Sequence, residues 1–153
     1  MQRLREVQTI LVVEDSDDDF EMMMDALTGN GGINNPVVRC EDGREALDYL
    51  LHRGEFEDAA LAPTPGIILL DLNLPGIDGR QVLTTIKSTP ALRTIPVVVL
   101  TTSDDERDVQ ACYALGANTY VRKPVDLGTF IAAVRRLKEY WLELALLPKE
   151  ESQ

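Results

Sequence analysis

Short apolar runs that end in polar residues alternate along this chain with longer stretches whose apolar residues recur at helical spacing. "TILVVEDS" reads as a buried strand from Thr9 to Glu14 that stops in acids, and "DDFEMMMDALTGNGG" then places Phe20, Met23, Met24 and Leu27 on one helical face. Gly29 to Gly32 end that helix. "PVVRC" is a second strand, and "DGREALDYLL" a helix with Ala46, Leu47, Leu50 and Leu51 on one side. The Gly- and Pro-containing "HRGEFEDAALAPTPG" reads as a loop. Strand "GIILLD", helix "GRQVLTTIKS", strand "IPVVVLT", helix "DERDVQACYALG" and strand "NTYVRK" follow. A last helix begins near Asp126, with Leu127, Phe130, Ile131, Val134, Leu137 and Trp141 in helical register. Strands apolar on both faces, alternating with helices, predict an α/β fold with a parallel sheet covered on both sides. Five such units are too few for an eight-stranded barrel, so an open doubly wound sheet is expected.

Length and composition fit that picture. A chain of 153 residues, 44% of them hydrophobic, is about one domain with a substantial core. The net charge of -11 argues against nucleic-acid binding, which needs Lys and Arg against phosphate. No apolar run approaches the roughly 20 residues that span a bilayer, and "MQRLREVQ" lacks the apolar core of an export signal. A cytoplasmic protein without membrane contact is expected. Cys40 and Cys112 are too few for a disulfide framework and lack metal-ligand spacing, so both are expected to be reduced and buried. His52 is the only histidine, which excludes any site that needs two.

In open parallel sheets ligands sit beyond the carboxyl ends of the strands. Those ends carry Glu14, Asp15 and Asp17 after strand one, Asp71 after strand three, Thr101 after strand four and Lys123 after strand five. If strands one and three are neighbours, several carboxylates converge; at about 4 Å each pair repels by roughly 4 kcal/mol. A proton or a cation must relieve this, and carboxylate oxygens with room for water describe a Mg²⁺ site. A carboxylate can also act as nucleophile and become an aspartyl phosphate, with Lys123 and Mg²⁺ compensating charge and Thr101 donating its hydroxyl. Single acids after a strand also commonly cap the next helix, and that reading applies to Asp17 above all.

The segments "ILVVEDSDDD", "IILLDLNLPGIDG", "IPVVVLTTSD" and "YVRKP", in this order, make the chain resemble the receiver domains of two-component response regulators over roughly Thr9 to Tyr140. The resemblance implies a flavodoxin-like (βα)₅ sandwich with strand order 2-1-3-4-5. It implies Asp71 as phosphoacceptor, Asp15 as a direct Mg²⁺ ligand, Glu14 as a ligand through water, and Asp71 and the backbone carbonyl of Asn73 completing the protein's share. It further implies Thr101 as the switch hydroxyl, Tyr120 as the switch aromatic, Lys123 as the phosphate-pairing lysine and a cis Lys123–Pro124 bond. Asn73 and Ser103 match positions that tune phosphoryl lifetime. Glu14 stands where many members have Asp, and Thr102 where a smaller residue is common. The plainer alternative for Tyr120, in second place, is an ordinary half-buried strand aromatic.

"HRGEFEDAALAPTPG", "LTTSDDERDV", "KPVDLGTF" and "EYWLELALLP" are similar to response regulators that partner phytochrome-type histidine kinases in cyanobacteria and other bacteria. The expected organisation is an N-terminal tail (1–8), a receiver domain (9–140) and an extension of the last helix with a tail (141–153). The expected function is that of a single-domain response regulator that accepts a phosphoryl group from a sensor histidine kinase and turns over no outside substrate. Output would then be a change of partner or a homodimer through helix four, strand five, helix five and the extension. Tyr140, Trp141, Leu142, Leu144, Leu146 and Leu147 are the candidate seam, unless the tail folds back on its own domain. Three rival functions follow from the same residues. An aspartate-nucleophile phosphatase would want a second acid where Asn73 stands. A flavin carrier would want a phosphate cradle where "EDSDDD" stands. A receiver-like interaction module would do without phosphorylation.

Overall fold

The computed structural model describes residues 8–29, 35–103, 105–124 and 126–144. Five parallel strands, β1 (Ile10–Val13), β2 (Val37–Cys40), β3 (Ile67–Leu70), β4 (Val97–Thr101) and β5 (Thr119–Arg122), stand in the order β2-β1-β3-β4-β5. Helices α1 (Asp17–Thr28), α2 (Gly43–Leu51), α3 (Gly79–Ser88), α4 (Glu106–Ala114) and α5 (Leu127–Lys138) alternate with them. This is the open doubly wound α/β sheet that the alternation predicts, in the flavodoxin-like strand order that the family resemblance implies.

Strand pleating divides the core in two. Leu11, Val13, Ile68, Leu70, Val97 and Val99 face one side and pack with residues of α2, α3 and α4. Their alternates Ile10, Val12, Ile67, Leu69, Val98 and Leu100 face the other, against Met23, Ala26 and Leu27 of α1 and Phe130 and Val134 of α5. Every residue of β1, β3 and β4 is buried, as strands covered on both faces must be. Each helix opens on a side-chain cap: Ser16, Asp42, Asp78, Asp105 and Asp126 accept from backbone N–H groups of the first turn. Several of the acids at strand-to-helix junctions therefore do the ordinary work of helix starts.

Two elements differ from the sequence expectation. The segment before β3, expected to be irregular, contains 3₁₀ turns at Gly54–Phe56 and Ala59–Leu61. Tyr49 anchors it by donating its hydroxyl to the Pro63 carbonyl at 2.8 Å, and its ring meets Phe56 edge-on at 5.2 Å. The last helix does not simply run on: beyond Lys138 it widens into a π-helical stretch, Glu139–Leu144. That turn places the half-buried Trp141 against the α1/α5 core, while Tyr140 stays 56% exposed. Leu146 and Leu147 of the expected seam lie outside the described residues. Cys40 and Cys112 are free and buried, as expected. Among the described residues no helix is long and apolar enough to cross a membrane.

Candidate functional site

Parallel pairing in register builds the site. Val13 lies beside Leu70, and the Asp71 N–H donates to the Val13 carbonyl at 3.0 Å. Residues Glu14 and Asp15 therefore leave β1 alongside Asp71 as it leaves β3. On the other flank Thr101 pairs with Arg122, and the Lys123 N–H donates to the Thr101 carbonyl at 2.6 Å. Glu14, Asp71, Thr101 and Lys123 are all buried, whereas Asp15 is exposed. One carboxylate oxygen from each of Glu14, Asp15 and Asp71 lies within 4.8 Å of the others. An all-oxygen donor set of this charge fits a hard divalent cation.

Lys123 is the counter-charge. Its ammonium donates to Glu14 Oε1 in a short contact, to Asp19 Oδ2 at 2.9 Å and to Asp71 Oδ2 at 3.5 Å. Burial on its own would lower the Lys123 pKa, but these carboxylates more than offset it and hold the ammonium above its ordinary value. Burial raises the Glu14 pKa from 4.5 to about 7; Asp71 adds to the rise, and the contact with Lys123 opposes it. Asp71 Oδ1 accepts the Asn73 N–H at 3.2 Å. The Asn73 amide in turn donates to Thr101 Oγ1 at 3.2 Å and reaches Thr102 Oγ1 at 3.4 Å.

Beyond Thr101, Ser103 is held both by its carbonyl and by its hydroxyl. Tyr120 donates its hydroxyl to the Ser103 carbonyl at 2.7 Å, and the Tyr120 N–H donates to the Tyr113 hydroxyl at 3.1 Å. Ser103 Oγ donates to Asp108 Oδ2 at 2.7 Å, while Arg80 of α3 grips the other oxygen of Asp108. The two bonds hold the Asp108 carboxyl below its usual range. Tyr120 is half-buried, so it is both a strand aromatic and a hydrogen-bonded strut.

The residues read from the strand ends thus come together, except Asp17. Its carboxylate turns away to Arg39 Nη1 at 2.7 Å. Arg39 and Asp19 are the two participants that the strand-end reading missed. Arg39 donates from Nε to the Glu14 carbonyl at 3.1 Å and lies over the Phe20 ring, 4.8 Å from its centre. A lone Arg after the apolar pair Val37 and Val38 was the available signal. The expected cis Lys123–Pro124 bond is corrected: no cis peptide occurs among the described residues. The trans form is the favoured one for a prolyl bond by roughly 0.5–1 kcal/mol, and in it Lys123 already reaches the carboxylates.

Comparison with known proteins agrees with this geometry. The response regulator receiver domain family matches residues 10–135. The response regulator Rcp1 of Synechocystis sp. is 43% identical over 141 residues, covering 92% of this chain and 93% of its own. The phosphorylated cyanobacterial phytochrome response regulator RcpA superimposes with a TM-score of 0.87 at 42% identity, over 94% of this chain and 99% of that one. The Mn²⁺-bound form of Rcp1 gives the same TM-score and identity, over 93% and 99% of the two chains.

Proposed function

Because the chain belongs to the response regulator receiver domain family, a family of two-component signalling, we propose that Asp71 accepts a phosphoryl group from a sensor histidine kinase. The observation that carries this reading is the placement of the buried Asp71 carboxylate, with the Lys123 ammonium 3.5 Å away and two further carboxylates beside it. An Asp71 oxygen attacks the phosphorus of a phosphohistidine, a new O–P bond forms, the N–P bond breaks, and the departing imidazole takes its proton from solvent. Asp15, Asp71 and the backbone carbonyl of Asn73 would hold Mg²⁺ directly and Glu14 through water; when bound, the ion neutralises charge on the transferring phosphoryl oxygens. Lys123 supplies a point charge to the same oxygens, and the Asn73 contact on Thr101 Oγ1 leaves the Thr101 hydrogen to donate to them. Glu14, Asp71 and Lys123 are all buried, and the low local dielectric strengthens each of these interactions.

The likeness to phytochrome response regulators supports a phytochrome-type kinase as donor. The tie from Tyr120 to the Ser103 carbonyl connects the loop after Thr101 with β5, and so gives phosphorylation a path to the α4–β5–α5 face. Homodimerisation through that face and the exposed Tyr140 is the proposed output. A phosphatase reading gains nothing from the site: the position two residues after Asp71 is the amide Asn73, which cannot exchange protons with a substrate.

The test is intact mass after incubation with a small phosphodonor and Mg²⁺. The wild type should gain one phosphoryl group and Asp71→Asn none; equal gains in both would place the chemistry elsewhere.

A further inference from the structure

Behind the cap Ser16, α1 opens with Asp17, Asp18 and Asp19. Acids at these positions ordinarily serve the helix: they face its positive end, and an acid at the third can fold back onto the N–H of the cap residue. Asp19 does not make that return contact. The Ser16 N–H is already taken by Glu14 Oε2 at 3.2 Å. The Asp19 carboxylate reaches the end of the sheet instead, where Oδ2 accepts from Lys123 Nζ at 2.9 Å. That is closer than Asp71 Oδ2, which stands 3.5 Å from the same nitrogen. Asp17 is engaged with Arg39, and Asp18 is exposed. Of the three acids only Asp19 points at the chemistry.

Resting on the reading of Asp71 as phosphoacceptor, we propose that Asp19 is a positioning residue for Lys123: it draws the ammonium toward α1 and competes with the phosphoryl group for it. An ammonium has three hydrogens, and in this structure Glu14, Asp19 and Asp71 accept them. A phosphoryl group on Asp71 adds strong acceptor oxygens and negative charge on that side of the nitrogen. The flexible lysine stem can lean toward them only by lengthening a contact it already has. Both sides of the Glu14 contact are buried, whereas the Asp19 side chain is 27% exposed and can be rehydrated when released. Asp19 is therefore the partner that yields, and its strength sets how firmly the site grips a phosphoryl-like anion.

The experiment titrates beryllofluoride, a phosphoryl stand-in that is not hydrolysed, into the full chain with Mg²⁺ by calorimetry. Asp19→Asn should bind it about five- to ten-fold more tightly than wild type. Asp18→Asn removes the same charge from the same helix turn and should stay within about two-fold. Asp19→Glu, which keeps a carboxylate, should return toward the wild-type value. In a Lys123→Gln background the Asp19→Asn gain should vanish, because the competition needs the ammonium. Equal gains for Asp18→Asn and Asp19→Asn, or a gain that survives without the lysine, would reduce Asp19 to general charge and overturn the proposal. A wild type that binds no beryllofluoride and takes up no phosphoryl group would overturn the phosphoacceptor reading itself.

Discussion

At 2% exposed, Glu14 carries much of the site's electrostatic cost. Its pKa rises from 4.5 to about 7 because burial disfavours the charged form and Asp71 repels it. A carboxyl whose folded pKa lies above its unfolded one stabilises the fold at low pH. That contribution is complete below about 4.5 and is lost as pH rises through about 7. In chelator, denaturation curves for the wild type should therefore show stability falling by on the order of 2 kcal/mol between pH 5 and 8 relative to Glu14→Gln. Parallel curves for the two proteins would mean that Glu14 stays ionised throughout. Divalent-cation affinity should move the opposite way and rise with pH to about 7, since the ligand form is the carboxylate. Glu14, Asp71 and Thr101 were legible in the sequence because each ends an apolar run, and Lys123 because it closes the last strand-like segment; at a strand's end the side chain must sit at the sheet's rim. Asp19 was not, because "DDD" at a helix start is explained locally; only the fold shows that the third acid faces a lysine 104 residues away.

The elements that hold Asp71 leave no slack. At Gly79, the first residue of α3, an added Cβ would lie 2.3 Å from the Asp71 carbonyl oxygen and 2.5 Å from Leu72 Cα. Both neighbours are backbone and cannot swing aside, so the absence of a side chain, rather than backbone freedom, is what the position requires. The Gly79 N–H also donates to the Leu72 carbonyl at 3.0 Å, which closes α3 onto the end of β3. Gly79→Ala should cost about 3 kcal/mol in urea denaturation and slow phosphorylation of whatever remains folded. A variant within about 0.5 kcal/mol of wild type would show that α3 can back away from Asp71 at little cost. The alternation of strands and helices was plain from hydrophobic spacing, since each element meets a core on a fixed period. The 3₁₀ turns before β3 were not, because Tyr49 of α2 holds that segment from outside, through the Phe56 ring and the Pro63 carbonyl, and leaves no period in the sequence of the turns.

For the whole molecule, the aromatic pair at the end of α5 divides two tasks. Trp141 is half-buried against the α1/α5 core beside Ile10, Leu27 and Val134, so it belongs to the stability of its own domain. Tyr140 meets the Trp141 ring edge-on at 5.2 Å, yet 56% of it remains exposed. With Val121 and Leu137 it borders a groove along β5, one of the two edge strands of the sheet. An edge strand next to an uncovered aromatic is where a second copy gains most by docking. Trp141→Ala should thus lower unfolding stability by about 1–2 kcal/mol, since it strips a half-buried ring from the edge of the α1/α5 core. Tyr140→Ser should leave stability within about 0.5 kcal/mol while weakening self-association at least about ten-fold in sedimentation. A chain truncated after Glu139 loses both residues and should be a less stable monomer. If Tyr140→Ser sediments like the wild type, the seam does not involve this aromatic, and the pair serves only to close α5 over its own core.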